Sequence, residues 1–327
     1  MGNELKIETM KNLVIIAIGL LAFIIFFACQ NNDDFDRENA SNPYKIGKNR
    51  FTIDLNGDTR EYFVHVPSNY DENIKTPVVF MLHGTSGNGN KFYHISGWKE
   101  VGEEENIITV YPSSWKHGII DRGQLKNTTK WNVYPGSFTY QSGETPKDDI
   151  NFLKEIINKL HQKFNVDSKR IYLVGFSNGG AMAFRCAVEM SDILAAVVEA
   201  SGTIQVDTLV NPKRNLPILW QTGNSDDVFL GNKPDVPLTS IDSLLNSPGL
   251  LPMMNTHLNS FNLDSSYILS NEPGIAYARY NPLIITTERY MLFALIENLE
   301  HQYPNGINHP LKGAEVHWEW LKQFTLP

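Results

Sequence analysis

The sequence predicts an α/β fold: a mostly parallel, doubly wound sheet opened by an antiparallel hairpin. Three observations predict it. Short apolar runs at 77–82, 107–111, 171–174, 195–198, 218–220 and 291–296 alternate with stretches of helical spacing, the pattern of buried strands joined by crossover helices. Asn56-Gly57-Asp58, between strand-like runs at 51–55 and 61–66, is a hairpin signal. Gly175-Phe176-Ser177-Asn178-Gly179 stands between the run at 171–174 and a small-residue helix over 181–190. Strand, sharp turn and helix in that order is the setting in which a serine is presented as a nucleophile.

The chain has 327 residues, 42% of them hydrophobic, enough for one large α/β domain with a full core. A net charge of −8 without a basic cluster argues against nucleic-acid binding. The only cysteines, Cys29 and Cys186, are too few for a disulfide framework. Residues 1–28 read as a targeting segment: Lys6 and Lys11 precede an apolar run from Leu13 to Ala28, a length suited to a signal-peptide core and short for a bilayer span. Cys29 follows at once, and Ala28-Cys29 resembles a bacterial lipoprotein signal in which the cysteine is lipidated. The rival reading is an uncleaved anchor. Either places the domain outside the cytoplasm, tethered to a membrane. Residues 29–50, polar and acidic at first, read as a flexible tether, and 51–327 as the folded domain.

Within that domain, Thr145-Pro146-Lys147-Asp148 predicts a helix start, with Thr145 as the cap and Pro146 in the first helical position. Phe152, Ile156, Ile157 and Leu160 continue at helical spacing. Residues 231–289, rich in Pro, Asn and Ser, read as an insertion with short helices near 241–245 and 253–261. That segment is expected to cap one wall of the site or to be a loop without catalytic consequence. Residues 315–324 read as a closing helix.

Ser177 needs partners. In a sheet of this kind the acid and then the base follow the serine along the chain. Asp226, just past the strand at 217–222, is the expected acid; Asp227 reads as a turn or cap residue and Glu199 as a third choice. Of the four later histidines, His301 directly follows an apolar strand in a turn-rich loop and is the expected base. His309 is the alternative, and His317, on a helix surface, reads as structural. The N–H groups of Asn178 and Thr85 are expected to form an oxyanion hole. His83, which precedes the serine, reads as a brace for that loop. Cys186 reads as a buried free thiol. Trp115, Trp131, Tyr134 and Tyr140 fall in loop-like stretches and read either as stacking platforms for a sugar or aromatic acid or as ordinary packing. No metal site, phosphate loop or dinucleotide fingerprint is present in the sequence, so no cofactor is expected.

With these residues assembled, the chain resembles the polyhydroxybutyrate-depolymerase and feruloyl-esterase family of secreted α/β-hydrolases. The likeness is carried by Leu82-His83-Gly84-Thr85, Asp148-Asp149-Ile150-Asn151-Phe152, Val166-Asp167-Ser168-Lys169-Arg170-Ile171-Tyr172 and Gly175-Phe176-Ser177-Asn178-Gly179-Gly180. Gln221 stands where the family has His before the acid. In Glu300-His301-Gln302-Tyr303-Pro304-Asn305-Gly306, Glu300 replaces Gly, Tyr303 replaces Trp, and Asn305 is inserted. The resemblance implies a cofactor-free carboxyl esterase acting on feruloyl or acetyl groups of plant polysaccharide, or on polyester chains. Two rivals remain. A peptidase of the prolyl-oligopeptidase type usually has an aromatic residue after the serine, unlike Asn178. A catalytically dead glycan-binding lipoprotein is at odds with an intact Ser, Asp and His.

Overall fold

The computed structural model describes residues 44–327 apart from 135, 205–210, 232–234 and 285–288. The expected targeting segment, Cys29 and most of the expected tether lie outside the described residues. The folded unit already includes Tyr44. Strand β1 (Gly47–Leu55) starts four residues before the expected boundary and pairs antiparallel with β2 (Asp58–Val66). Leu55 lies opposite Asp58, so the turn is Asn56 and Gly57, at φ of 52° and 87°. Positive φ at both positions gives a tight turn whose twist matches that of the strands.

Strand β3 (Thr76–Leu82) is buried along its whole length. Its alternate side chains divide between two cores, Val78, Phe80 and Leu82 on one face and Val79 and Met81 on the other. A strand covered on both faces reads as an unbroken apolar run, which is why the sequence marks it clearly. Helices α1 (Gly89–Ile95) and α2 (Trp98–Glu105) lead to β4 (Ile108–Pro112). Beyond it the structure departs from expectation. Residues read as loop form a separate sheet of three strands, β5 (Trp115–Asp121), β6 (Gln124–Lys130) and β7 (Thr139–Tyr140), in the order β6-β5-β7.

Helix α3 (Asp149–Lys163) begins later than Thr145. Its cap is Asp148, whose carboxylate accepts from the Asn151 N–H at 3.0 Å. Asp149 is fully buried and pairs with Arg60 at 2.7 Å, so the first turn is fixed by an ion pair that local spacing cannot reveal. Then come β8 (Val166–Phe176), α4 (Asn178–Glu189), β9 (Ala196–Ala200) and β10 (Ile218–Gly223), followed by the one-turn helix α5 (Asp227–Leu230).

The inserted segment contains α6 (Ile241–Leu245) and α7 (Leu251–Ser260) near the expected places. It also holds a hairpin, β11 (Leu263–Glu272) and β12 (Ile275–Pro282), which the sequence reading missed. Because β12 pairs antiparallel with β13 (Met291–Ile296), the hairpin extends the main sheet. Among the described residues of the segment, the hairpin is thus built into the sheet edge. Helix α8 (Gly313–Leu321) closes the chain.

The main sheet runs β1-β2-β4-β3-β8-β9-β10-β13-β12-β11. Its centre, β4 to β13, is parallel, with antiparallel pairs at each end. Side chains of α3, α4 and α7 share one core, and those of α1, α2 and α8 share the other. This three-layer arrangement is the α/β-hydrolase fold. It leaves the carboxyl ends of the central strands free to carry a site.

Candidate active site

Ser177 lies between the end of β8 and the start of α4, at φ 54° and ψ −119°. An L-residue adopts that conformation only when its surroundings impose it. The Ser177 N–H donates to the Ala200 carbonyl on β9 at 2.8 Å, and the glycines on either side allow the close approach. A Cβ at Gly175 would sit 1.9 Å from the Gly179 carbonyl oxygen, and one at Gly179 would sit 2.5 Å from that of Leu82. Side chains at either position would push helix and strand apart.

His301, in the loop after β13, places Nε2 2.9 Å from Ser177 Oγ. Its Nδ1 lies 2.9 and 3.0 Å from the two oxygens of Asp226. Because the carboxylate only accepts, Nδ1 carries the ring proton and Nε2 is left to accept from the serine hydroxyl. Asp226 is fully buried at the end of β10. Burial alone would raise its carboxyl, but the hydrogen bond and charge of His301, the Phe229 N–H at 2.9 Å and Ser201 together hold it below the usual range. The structure therefore brings Ser177, His301 and Asp226 into one hydrogen-bonded line.

The other candidates lie elsewhere. Asp227 is exposed in the first turn of α5. His309 is 2.9 Å from the Glu297 carbonyl through Nε2, and its Nδ1 accepts from the Leu311 N–H. Glu199 is buried and pairs with His257 Nε2 at 2.9 Å. Burial pushes the Glu199 carboxyl up, partly offset by His257.

Asn178 is the first residue of α4, so its N–H has no partner within the helix. The loop after β3 carries the other expected donor. Thr85 is exposed there, and among the described residues its N–H donates to nothing. His83 is fully buried, with Nδ1 2.7 Å from the Gly84 carbonyl and Nε2 accepting from the Ser114 N–H at 3.0 Å. The amide fixes the tautomer: Nδ1 must be the donor. Burial lowers the ring to about 4, so it stays neutral near pH 7 and ties the loop to the chain after β4.

What the sequence reading missed is how the buried polar residues around the line pair with one another. Trp98 Nε1 donates to the Tyr303 hydroxyl at 2.9 Å, that hydroxyl lies 2.9 Å from His317 Nδ1, and His317 Nε2 lies 2.7 Å from Gln221 Oε1. Burial lowers His317 to about 3, so the neutral ring accepts from Tyr303 and donates to Gln221. His317 is thus interior, not on a helix surface, and braces the His301 loop against β10. A periodic apolar helix carrying one polar residue on its inner face was the only available signal. Among the aromatic residues, Trp131 is buried with Nε1 donating to the His83 carbonyl at 2.8 Å, so it cannot stack on a ligand. The Cys186 thiol is buried and pushed far above its usual range, an inert core position.

An α/β-hydrolase with a serine at its strand–helix turn, followed in the chain by an acid and a histidine, is the class these features define. The chain belongs to the Esterase family, which matches it over residues 55–243. It is 27% identical over 173 residues to the bifunctional acetylxylan esterase/xylanase XynS20E of Neocallimastix patriciarum, covering 53% of this chain and 22% of that protein. It is 25% identical over 177 residues to feruloyl esterase B of Piromyces equi, covering 53% and 30%. Poly(3-hydroxyalkanoate) depolymerase C of Paucimonas lemoignei is 27% identical over 142 residues, covering 43% and 31%. The chain therefore spans less than a third of the length of these curated relatives. Among solved structures, the acetyl xylan esterase from Aspergillus awamori has the same fold, with a TM-score of 0.56 at 15% identity, covering 84% of this chain and 99% of that one.

Proposed function

We propose that the protein is a serine carboxyl esterase that removes feruloyl or acetyl groups from plant polysaccharide. The observation that carries this reading is the hydrogen-bonded line from Asp226 through His301 to a serine held in a strained turn. In this mechanism Ser177 Oγ attacks the ester carbonyl as His301 Nε2 takes its proton. Asp226 keeps the ring oriented and stabilises the imidazolium. The oxygen of the tetrahedral intermediate rests on the N–H groups of Thr85 and Asn178. Collapse expels the alcohol, which leaves with the proton from His301. Water then attacks the acyl-enzyme with His301 as base, releasing the acid and restoring Ser177. No step calls for a cofactor.

The acetylxylan and feruloyl esterases among the relatives support the substrate class. The depolymerase supports a second reading, hydrolysis of a polyester chain. Residues 1–29 support a lipid anchor at Cys29 and a site of action outside the cytoplasm, on the outer membrane or cell surface. The test is turnover of p-nitrophenyl acetate, methyl ferulate and a poly(3-hydroxybutyrate) film by the full chain and by Ser177→Ala. Hydrolysis of both small esters, lost in the variant, is expected. Turnover of the film but not of methyl ferulate would favour the polyester reading, and no turnover of any substrate would refute the esterase reading.

A further inference from the structure

The two expected oxyanion donors belong to different elements, Thr85 to the loop after β3 and Asn178 to α4. One short stretch of chain grips both. At the end of β6 the Thr129 carbonyl accepts from the Ser86 N–H at 3.0 Å, and Thr129 Oγ1 donates to the Gly87 carbonyl at 2.6 Å. The Thr128 and Ser86 hydroxyls lie 2.7 Å apart. Ser86, next to Thr85, has a φ of 61°, a left-handed conformation that needs outside support. Two residues on, the Trp131 N–H donates to Asn178 Oδ1 at 2.7 Å, and Asn178 Nδ2 lies 3.4 Å from the Trp131 carbonyl. The Trp131 indole holds the His83 carbonyl at the root of the loop.

The stretch is anchored in its turn. The Asn132 N–H donates to Asp149 Oδ2 at 2.7 Å, and the other oxygen of Asp149 is 2.7 Å from the buried Arg60 guanidinium. An ion pair in the interior has one geometry to offer, because losing either partner would strand a charge. The small three-stranded sheet thus reaches the turn that carries Ser177 through fixed polar contacts.

We infer that Thr128–Trp131 is a positioning strap: it sets where both oxyanion donors point, with Thr129 and the Asn178 side chain as its two grips. The inference rests on the esterase reading above. Neither grip touches substrate. Each acts through a backbone N–H whose value lies in matching the transition state and not the ground-state ester, so loosening it lowers kcat and leaves KM nearly unchanged.

The experiment measures p-nitrophenyl acetate kinetics, inhibition by phenylboronic acid and thermal midpoint for the full chain, Thr129→Val, Thr129→Ser and Asn178→Ala. Phenylboronic acid forms a tetrahedral adduct on the serine and so reports on the donors directly. Thr129→Val is expected to lower kcat about tenfold and Asn178→Ala about a hundredfold, with KM within about twofold, since small misplacements of catalytic geometry are costly. The boronate inhibition constant rises in proportion, and Thr129→Ser, which keeps the hydroxyl, restores both. Unchanged kcat and boronate affinity in Thr129→Val and Asn178→Ala would overturn the inference. So would a loss fully explained by fewer sites titratable with a fluorophosphonate. A wild-type chain without esterase activity would sink the esterase reading and the inference together, whereas an active wild type with unaffected variants sinks the inference alone.

Discussion

Ser177 sits at φ 54° and ψ −119°, a region that glycine enters freely and other residues enter at a cost of about 1–3 kcal/mol. Replacing its side chain therefore separates strain from chemistry. Ser177→Ala and Ser177→Gly should both be inactive, but the glycine variant should be more stable than the alanine variant by about 1 kcal/mol or more in urea unfolding. Asp226→Asn isolates a different role. Its side-chain oxygen still accepts from the Phe229 N–H, so unfolding should change little. The Nδ2 that replaces its other oxygen, 3.0 Å from His301 Nδ1, can only donate, and the charge that stabilises the imidazolium is lost. The kcat should therefore fall by about 10³–10⁴ with KM nearly constant, as expected when the histidine is turned toward the wrong tautomer. Tyr303→Phe should act on stability: it strands Trp98 Nε1 and His317 Nδ1 in the interior, at about 1–3 kcal/mol for each unpaired group, measurable as a lower urea midpoint. The residues now in hydrogen-bonded line were legible because chain order and strand ends constrain them. The pairings of Arg60 with Asp149, Glu199 with His257 and Gln221 with His317 were not, since the partners lie at least 58 positions apart and no local pattern marks them as partners.

At the scale of elements, legibility followed burial. Strands β3, β8 and β13, covered by helices, announce themselves as apolar runs. Strand β6, Gln-Leu-Lys-Asn-Thr-Thr-Lys, is exposed or half-buried throughout, and β11 is exposed along most of its length, so neither carries the alternation that marks a half-buried strand. The start of α3 was misplaced for another reason: Thr145-Pro146 is a valid start signal, overridden by the buried pairing of Asp149 with Arg60. The turn before α4 offers a sharp test of packing. Gly175→Ala puts a methyl 1.9 Å from the Gly179 carbonyl oxygen and should abolish folding or activity, whereas Gly249→Ala meets nothing within 4 Å and should change stability by less than about 0.5 kcal/mol. Soluble yield and urea unfolding of the two variants decide it.

At the scale of the whole molecule, buried histidines link stability to pH. In the unfolded chain His83 and His317 take up a proton near 6.5, while burial delays uptake in the folded protein to about 4 and about 3. Between those values the unfolded chain binds more protons, so stability falls as the pH falls. Asp226, held below its ordinary range, adds to the loss on further acidification, and Glu199, held above it, works against it. The urea midpoint should therefore stay nearly level above about pH 6.5 and decline toward pH 4. A His317→Gln variant, whatever its stability at pH 7, should show a shallower decline; an equal slope would remove His317 from the account.

The C-terminal residues are stitched to the strand that ends at the nucleophile. The Leu326 N–H donates to the Lys169 carbonyl, and the Tyr172 hydroxyl donates to the Phe324 carbonyl. His301 meets Ser177 across 124 positions. A chain emerging from the ribosome displays its serine long before it owns a base, and the residues that stitch down β8 follow both. The proposed esterase activity thus needs residues from both sides of that gap, and a product truncated between Ser177 and His301 should not turn over p-nitrophenyl acetate.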